Sequence, residues 1–67
     1  QNSIEKGSKI IVIDDLLATG GTASAAGTLI REAGGDLMGY AFLVELTDLQ
    51  GRYKLAPNLF VESLIKY

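Results

Sequence analysis

Residues 11–22 read Ile11-Val12-Ile13-Asp14-Asp15-Leu16-Leu17-Ala18-Thr19-Gly20-Gly21-Thr22. Their apolar part starts two residues earlier, in the run Lys-Ile-Ile-Val-Ile at 9–13. Continuous β-branched apolarity, without alternation, is the pattern of a strand covered on both faces, as in a parallel sheet. Asp14 and Asp15 are expected to end that strand. Residues 16–21 read as a loop with Gly20-Gly21 at its far end. Thr22 stands where an N-cap for the next helix is expected.

On the C-terminal side, Ala26, Leu29, Ile30 and Ala33 recur at helical spacing and define one face. The small residues Ala23, Ala25, Ala26 and Gly27 would let that helix lie close to a sheet. Gly34-Gly35 supplies a stop. A second apolar run, Leu-Met-Gly-Tyr-Ala-Phe-Leu-Val-Glu-Leu, occupies residues 37–46. Strand, helix and strand joined by short loops make a βαβ crossover, so the two strands are expected to be parallel. Thr47-Asp48 then resembles a cap, residues 49–55 a short helix, and Ala56-Pro57-Asn58 its end. Residues 59–67 read as a last strand. On the N-terminal side, Lys6-Gly7-Ser8 is a turn. There is no internal repeat, low-complexity tract or linker.

The composition narrows the chemistry. The chain has 67 residues, is 48% hydrophobic and carries a formal net charge of -2. That is a globular composition. It has no basic excess for nucleic acid and no polybasic patch for anionic lipid. No apolar run is long enough to span a membrane. There are no cysteines and no histidines. Disulfides, thiolate metal sites and histidine acid–base chemistry are therefore excluded for this chain. A parallel sheet needs helices on both faces. One good helix and one short one cannot cover both. The opening Gln1-Asn2-Ser3-Ile4-Glu5-Lys6 also reads like the middle of a longer chain. Residues 1–67 are thus expected to be the C-terminal part of a single domain.

The strand–loop–helix string carries the chemistry. Ligands of open parallel sheets bind beyond the carboxyl ends of the strands. A helix N-terminus there offers N–H groups and partial positive charge, which suits a phosphate. Gly20 and Gly21 let backbone approach an anion closely, and Thr19 and Thr22 add hydroxyl donors. Two adjacent carboxylates would repel a phosphate. They suit instead a vicinal diol, or Mg²⁺ held directly or through water. Acid pair and anion cradle together match a ribose 5-phosphate. A bare Asp-Asp is commonly a solvated strand end, but the whole string between an apolar run and a small-residue helix asks for more. It is neither a Walker loop nor a dinucleotide fingerprint, since both spacings are absent.

The string resembles the phosphoribosyl pyrophosphate motif of the type I phosphoribosyltransferases, and Asp-Asp-Leu-Leu-Ala-Thr-Gly-Gly-Thr is similar to its adenine-specific branch. The resemblance continues through Leu43-Val44-Glu45-Leu46-Thr47, Leu49, Gly51-Arg52, Lys54-Leu55-Ala56-Pro57, Ser63-Leu64 and Tyr67. It implies an α/β fold, here the βαβ parallel-sheet portion of a Rossmann-like domain with a short helix and a last strand. It implies conversion of adenine and phosphoribosyl pyrophosphate to AMP and pyrophosphate, in purine salvage, with Mg²⁺. By the same resemblance Asp14 and Asp15 bind the ribose hydroxyls, and Ala18, Thr19, Gly20, Gly21 and Thr22 bind the 5-phosphate. No residue here is assigned a catalytic role or direct metal ligation. A homodimeric, cytoplasmic parent enzyme is also implied, with no nucleic-acid or membrane partner. The lid loop, pyrophosphate loop and adenine pocket lie upstream in family members, so the isolated chain is expected not to catalyse.

Other residues are read more plainly. Glu45, at a strand end, is a candidate site residue, but is expected to cap a neighbour or pair with a cation. Arg52 and Lys54 are candidates for contact with ligand or a partner subunit, but are expected to be solvated charges on the short helix. Tyr40, Phe42 and Phe60 are expected in the core, with Arg31 and Glu32 on the solvent face. Tyr53 and Tyr67 suit either environment. Two other functions fit the same string: a regulator that senses phosphoribosyl pyrophosphate without reacting, and an inactive structural fragment.

Overall fold

The computed structural model describes residues 5–55 and 57–67. Gln1, Asn2, Ser3, Ile4 and Ala56 lie outside the described residues, and with them the reading of the first four residues and of Ala56 in a helix stop. The elements run β1 (Lys9–Leu17), α1 (Gly21–Glu32), β2 (Asp36–Glu45), two 3-10 turns (Thr47–Leu49 and Gly51–Lys54) and β3 (Phe60–Lys66). The strands form one parallel sheet in the order β1-β2-β3. This is the α/β crossover that the two apolar runs predict.

Three local expectations are corrected. First, the aspartates do not end β1. The ladder with β2 continues past them to the pair Leu17↔Glu45, so backbone hydrogen bonding keeps both acids in the strand. Second, Thr22 is not the N-cap. Gly20 is, at φ +89°, and Thr22 lies exposed within the first turn. The chain must turn through the left-handed region there, which glycine does without a Cβ penalty. Third, there is no short α-helix over residues 49–55. Gln50 at φ +54° breaks the segment, and the turns on either side close i to i+3 bonds, as in Gln50 N–H to Thr47 O at 3.0 Å. The Thr47 hydroxyl caps nothing in its own turn. It donates to the carbonyl of Tyr67, just past β3.

The predicted helix stop is present. Gly34 has φ +93°, its N–H donates to Arg31 O at 3.0 Å, and the Gly35 N–H donates to Ile30 O at 2.9 Å. This is a Schellman closure.

Helix α1 covers one face of the sheet. The buried cluster is Leu17, Ala23, Leu37, Tyr40, Phe42 and Leu55, with Val12, Ile30, Leu59 and Val61 packed against it. Tyr40 and Phe42 stack in parallel, ring centroids 6.3 Å apart, as expected of core residues. The helix buries Ala23 and Gly27 and packs Ile30 against the core; of the predicted face Ile30 holds and Ala26 is half-buried. Leu29 and Ala33 are exposed. Close approach explains the difference. A side chain at Gly27 would collide with the Tyr40 hydroxyl and lie 2.9 Å from Leu37 Cδ2. The helix lies on its smallest residues because the rings beneath already fill the space.

The opposite face of the sheet is bare among the described residues. Ile11 and Ile13 pair with Gly39 and Ala41 there, and Ile13 and Leu64 are 78% and 80% exposed. Among the described residues β1 is therefore covered on one face, as expected of a chain with one full helix. Phe60, expected in the core, pairs with Gly39 and lays its ring over that glycine, with 43% of the residue exposed.

Candidate functional site

A concavity of about 200 Å³ opens where β1 passes into α1, lined by Asp14, Leu16, Leu17, Ala18, Thr19, Gly20, Thr22 and Ala23. It contains most of the residues singled out from sequence. Gly21 is exposed at the start of α1 and Asp15 is exposed on β1 beside it; neither lines the hollow. Adjacent residues of a strand point to opposite faces. Asp14 pairs with Phe42 in the ladder, yet both aspartates border a second groove, shared with Ile13, Ala41, Leu43 and Leu64. The Asp14 carboxylate accepts a hydrogen bond from the Asp15 N–H at 2.8 Å.

The helix N-terminus facing this hollow is uncapped by any side chain, and its first turn carries no acidic residue. The first helical bond runs from Ser24 N–H to Gly20 O at 2.9 Å. The N–H groups before Ser24 therefore lack an acceptor in the helix. An anion in the hollow would meet those donors and the positive end of the helix dipole.

Behind the loop lies a support that the sequence reading missed. Gly51 opens the second 3-10 turn and presses against residues 18–20. A Cβ at Gly51 would overlap the Ala18 carbonyl oxygen and come within 2.9 Å of Gly20 N. A Cβ at Gly20 would overlap the Gly51 carbonyl in turn. Two backbones meet there with no room for a side chain. A glycine next to an Arg, just after a turn, is the only local hint of such contact.

Next to Gly51, Arg52 pairs with the carboxylate of Glu45. Arg52 Nε donates to Oε2 and Nη2 to Oε1, both at 2.8 Å, and Ser63 Oγ donates to Oε1 at 2.9 Å. Glu45 is 2% exposed. Its pairing with a cation is as expected; the solvated reading of Arg52 is corrected, since its side chain is two-thirds buried by the pair. Lys54 and Tyr53 are exposed, as is the Tyr67 side chain.

The Arg52 hydrogen bonds hold the Glu45 carboxyl down to about 2 from its usual 4.5; burial works against them, and the Ser63 hydroxyl helps. A carboxyl lowered in the folded state contributes stability that is complete above its unfolded value and lost as pH falls through the folded one. Urea unfolding free energy should therefore drop between pH 4.5 and pH 2, with up to about 3 kcal/mol of the drop due to Glu45. Glu45→Gln should remove that share of the slope. An unchanged slope in the variant would contradict the assignment.

The comparisons with known proteins agree with this geometry. The family model for the phosphoribosyl transferase domain matches residues 1–63. The chain belongs to the phosphoribosyltransferase family. As a phosphoribosyltransferase segment it is 72% identical, over its whole length, to the adenine phosphoribosyltransferase of Prochlorococcus marinus strain NATL2A, and covers 39% of that protein. It superposes on the crystal structure of adenine phosphoribosyltransferase from Rhodothermus marinus with a TM-score of 0.92 at 45% identity, covering 96% of this chain and 36% of that one. The enzyme from Trypanosoma brucei, solved in complex with AMP, pyrophosphate and ribose-5-phosphate, gives 0.85 at 30% identity, covering 94% and 30%. The phosphoribosyltransferase segment thus spans about two fifths of the length of such relatives.

Proposed function

We propose that residues 1–67 are the C-terminal part of a single phosphoribosyltransferase domain, and that they bind the ribose 5-phosphate moiety of phosphoribosyl pyrophosphate and AMP. The intact protein then converts adenine and phosphoribosyl pyrophosphate to AMP and pyrophosphate. One observation carries the reading: the uncapped N-terminus of α1 opens onto a hollow shared by Asp14 and the 18–22 segment. In this reading Ala18, Thr19, Gly20, Gly21 and Thr22 receive the phosphate, chiefly through N–H groups. Asp14 and Asp15 accept hydrogen bonds from the ribose hydroxyls. A rigid grip on the sugar would hold the anomeric carbon in line while positive charge develops on it.

The donor set bears on Mg²⁺ as well. Among the described residues no group of three or more carboxylates gathers to hold a cation alone. Mg²⁺ characteristically binds through one or two carboxylates together with substrate phosphates, and the aspartates suit that role. The ion would neutralise charge on the departing pyrophosphate. Among the described residues no helix is long and apolar enough to cross a membrane. A cytoplasmic homodimer, acting on these small molecules and not on nucleic acid, completes the proposal.

Two measurements test it. Titrating the ¹⁵N-labelled chain with ribose 5-phosphate should move the amide signals of Thr19, Gly20 and Gly21; a flat titration would sink the binding role. In the intact protein, Asp14→Asn and Asp15→Asn should each weaken phosphoribosyl pyrophosphate roughly tenfold or more, the scale of a lost hydrogen bond to a charged group. Adenine affinity should barely change. Equal losses for the two ligands would count against the ribose assignment. The isolated chain should form no AMP.

A further inference from the structure

We propose that Arg52, clamped by a Glu45 carboxylate that Ser63 also holds, is a positioning residue that sets the phosphate-binding loop through the backbone of Gly51. The proposal rests on the ribose 5-phosphate reading above and deepens it. Three contacts form a chain. Glu45 lies at the end of β2, buried, with its carboxylate taking both guanidinium donors of Arg52 and the hydroxyl of Ser63 from β3. Arg52 Nη2 also reaches the Val61 carbonyl at 3.5 Å. Three hydrogen bonds thus tie this 3-10 turn to the two strands beside it, and the Ser63 hydroxyl fixes the carboxylate that accepts two of them. Gly51 is the residue immediately before Arg52, and its backbone touches Ala18, Thr19 and Gly20 with no side chain between.

The loop is poorly supported by other means. Gly20 and Gly21 have no side chains to anchor them, Thr19 is exposed, and no side chain caps the helix start. Gly20 also holds a left-handed conformation. The rigid object behind the loop is the Gly51–Lys54 turn, and the guanidinium fork is what orients that turn. Arginine's planar fork matches both carboxylate oxygens at once, whereas lysine offers a point charge. Arg52→Lys therefore keeps the ion pair and loses the orientation. Arg52 touches no ligand in this scheme; it acts through Gly51.

The experiment uses the intact protein that carries this segment. Arg52→Lys and Ser63→Ala are compared with Leu37→Ala, a core variant at the far end of β2. Two readouts are taken on folded protein well below its melting temperature: ligand-free ¹⁵N amide shifts, and the affinity for ribose 5-phosphate and for adenine separately. Arg52→Lys should shift the Thr19, Gly20 and Gly21 amides and weaken ribose 5-phosphate roughly ten- to hundred-fold, the cost of a misplaced binding group. Adenine affinity should stay as it was. Ser63→Ala should act in the same direction with a smaller effect, and serves alone if Arg52→Lys does not fold. Leu37→Ala should lower the melting temperature without moving those amides. The proposal is overturned if the Arg52 and Ser63 variants leave the loop amides in place, or if Leu37→Ala moves them as much. If the wild type itself fails to bind ribose 5-phosphate while the amides still respond to Arg52, the ligand reading fails and the mechanical link survives.

Discussion

Gly20→Ala should unfold the isolated chain and abolish ribose 5-phosphate binding by the intact protein. Two penalties combine at this position. An L-residue held at φ +89° costs roughly 1–2 kcal/mol. The new methyl also overlaps the Gly51 carbonyl, and forcing a group into a closed contact costs about 1–3 kcal/mol more. A single-core domain of this size holds only about 3–5 kcal/mol in total. Gly7 supplies the control, because it has φ +84° but nothing within 4 Å of an added Cβ. Gly7→Ala bears the conformational cost alone. Urea unfolding followed by far-ultraviolet circular dichroism separates the two terms. A Gly20→Ala midpoint no lower than that of Gly7→Ala would refute the claimed backbone contact.

Tyr40→Ala should be as damaging, for a different reason. Tyr40 is 2% exposed, stacks on Phe42 and meets the helix at Gly27. Removing a buried ring costs about 3–5 kcal/mol, because the walls do not collapse fully into the space. Here the walls are a strand and a helix that meet at Gly27 over that ring, with Leu37 beside it. Far-ultraviolet and near-ultraviolet signals should both be lost in the isolated chain. Tyr40→Phe keeps the ring and should stay close to the wild-type midpoint. Retained cooperative unfolding in Tyr40→Ala would mean that α1 is held by something other than this stack.

The order of elements was legible because it follows from contiguous patterns. The runs at 9–13 and 37–46, the small-residue stretch between them and the glycine pair at 34–35 are local signals. What was misread depends on partners far along the chain. The buried helix stripe runs through Gly27, because proximity of backbones uses absent side chains and a hydrophobic period counts present ones. β1 outlasts its aspartates because β2 supplies the hydrogen bonds. Residues 49–55 fail to become an α-helix because Gln50 turns left-handed where the chain must bring Gly51 against Gly20. In the site, the acid pair and the glycine loop were readable as chemistry. The Glu45–Arg52–Ser63 cluster was not, since its members come from β2, a 3-10 turn and β3 and meet only in three dimensions.

The uncovered side of the sheet has a practical corollary. Ile13, Leu64, Leu43 and Phe60 present large apolar side chains to water in the natively folded chain. Fluorescent reporters such as anilinonaphthalene sulfonate brighten on surfaces of that kind, and their response is ordinarily taken as the mark of a molten state. For this chain the dye should light up before any heating, and the near-ultraviolet spectrum should be intact while it does. Assays that read melting from dye uptake would begin near their ceiling, which leaves spectroscopy of the chain's own tyrosines as the meter of its folding.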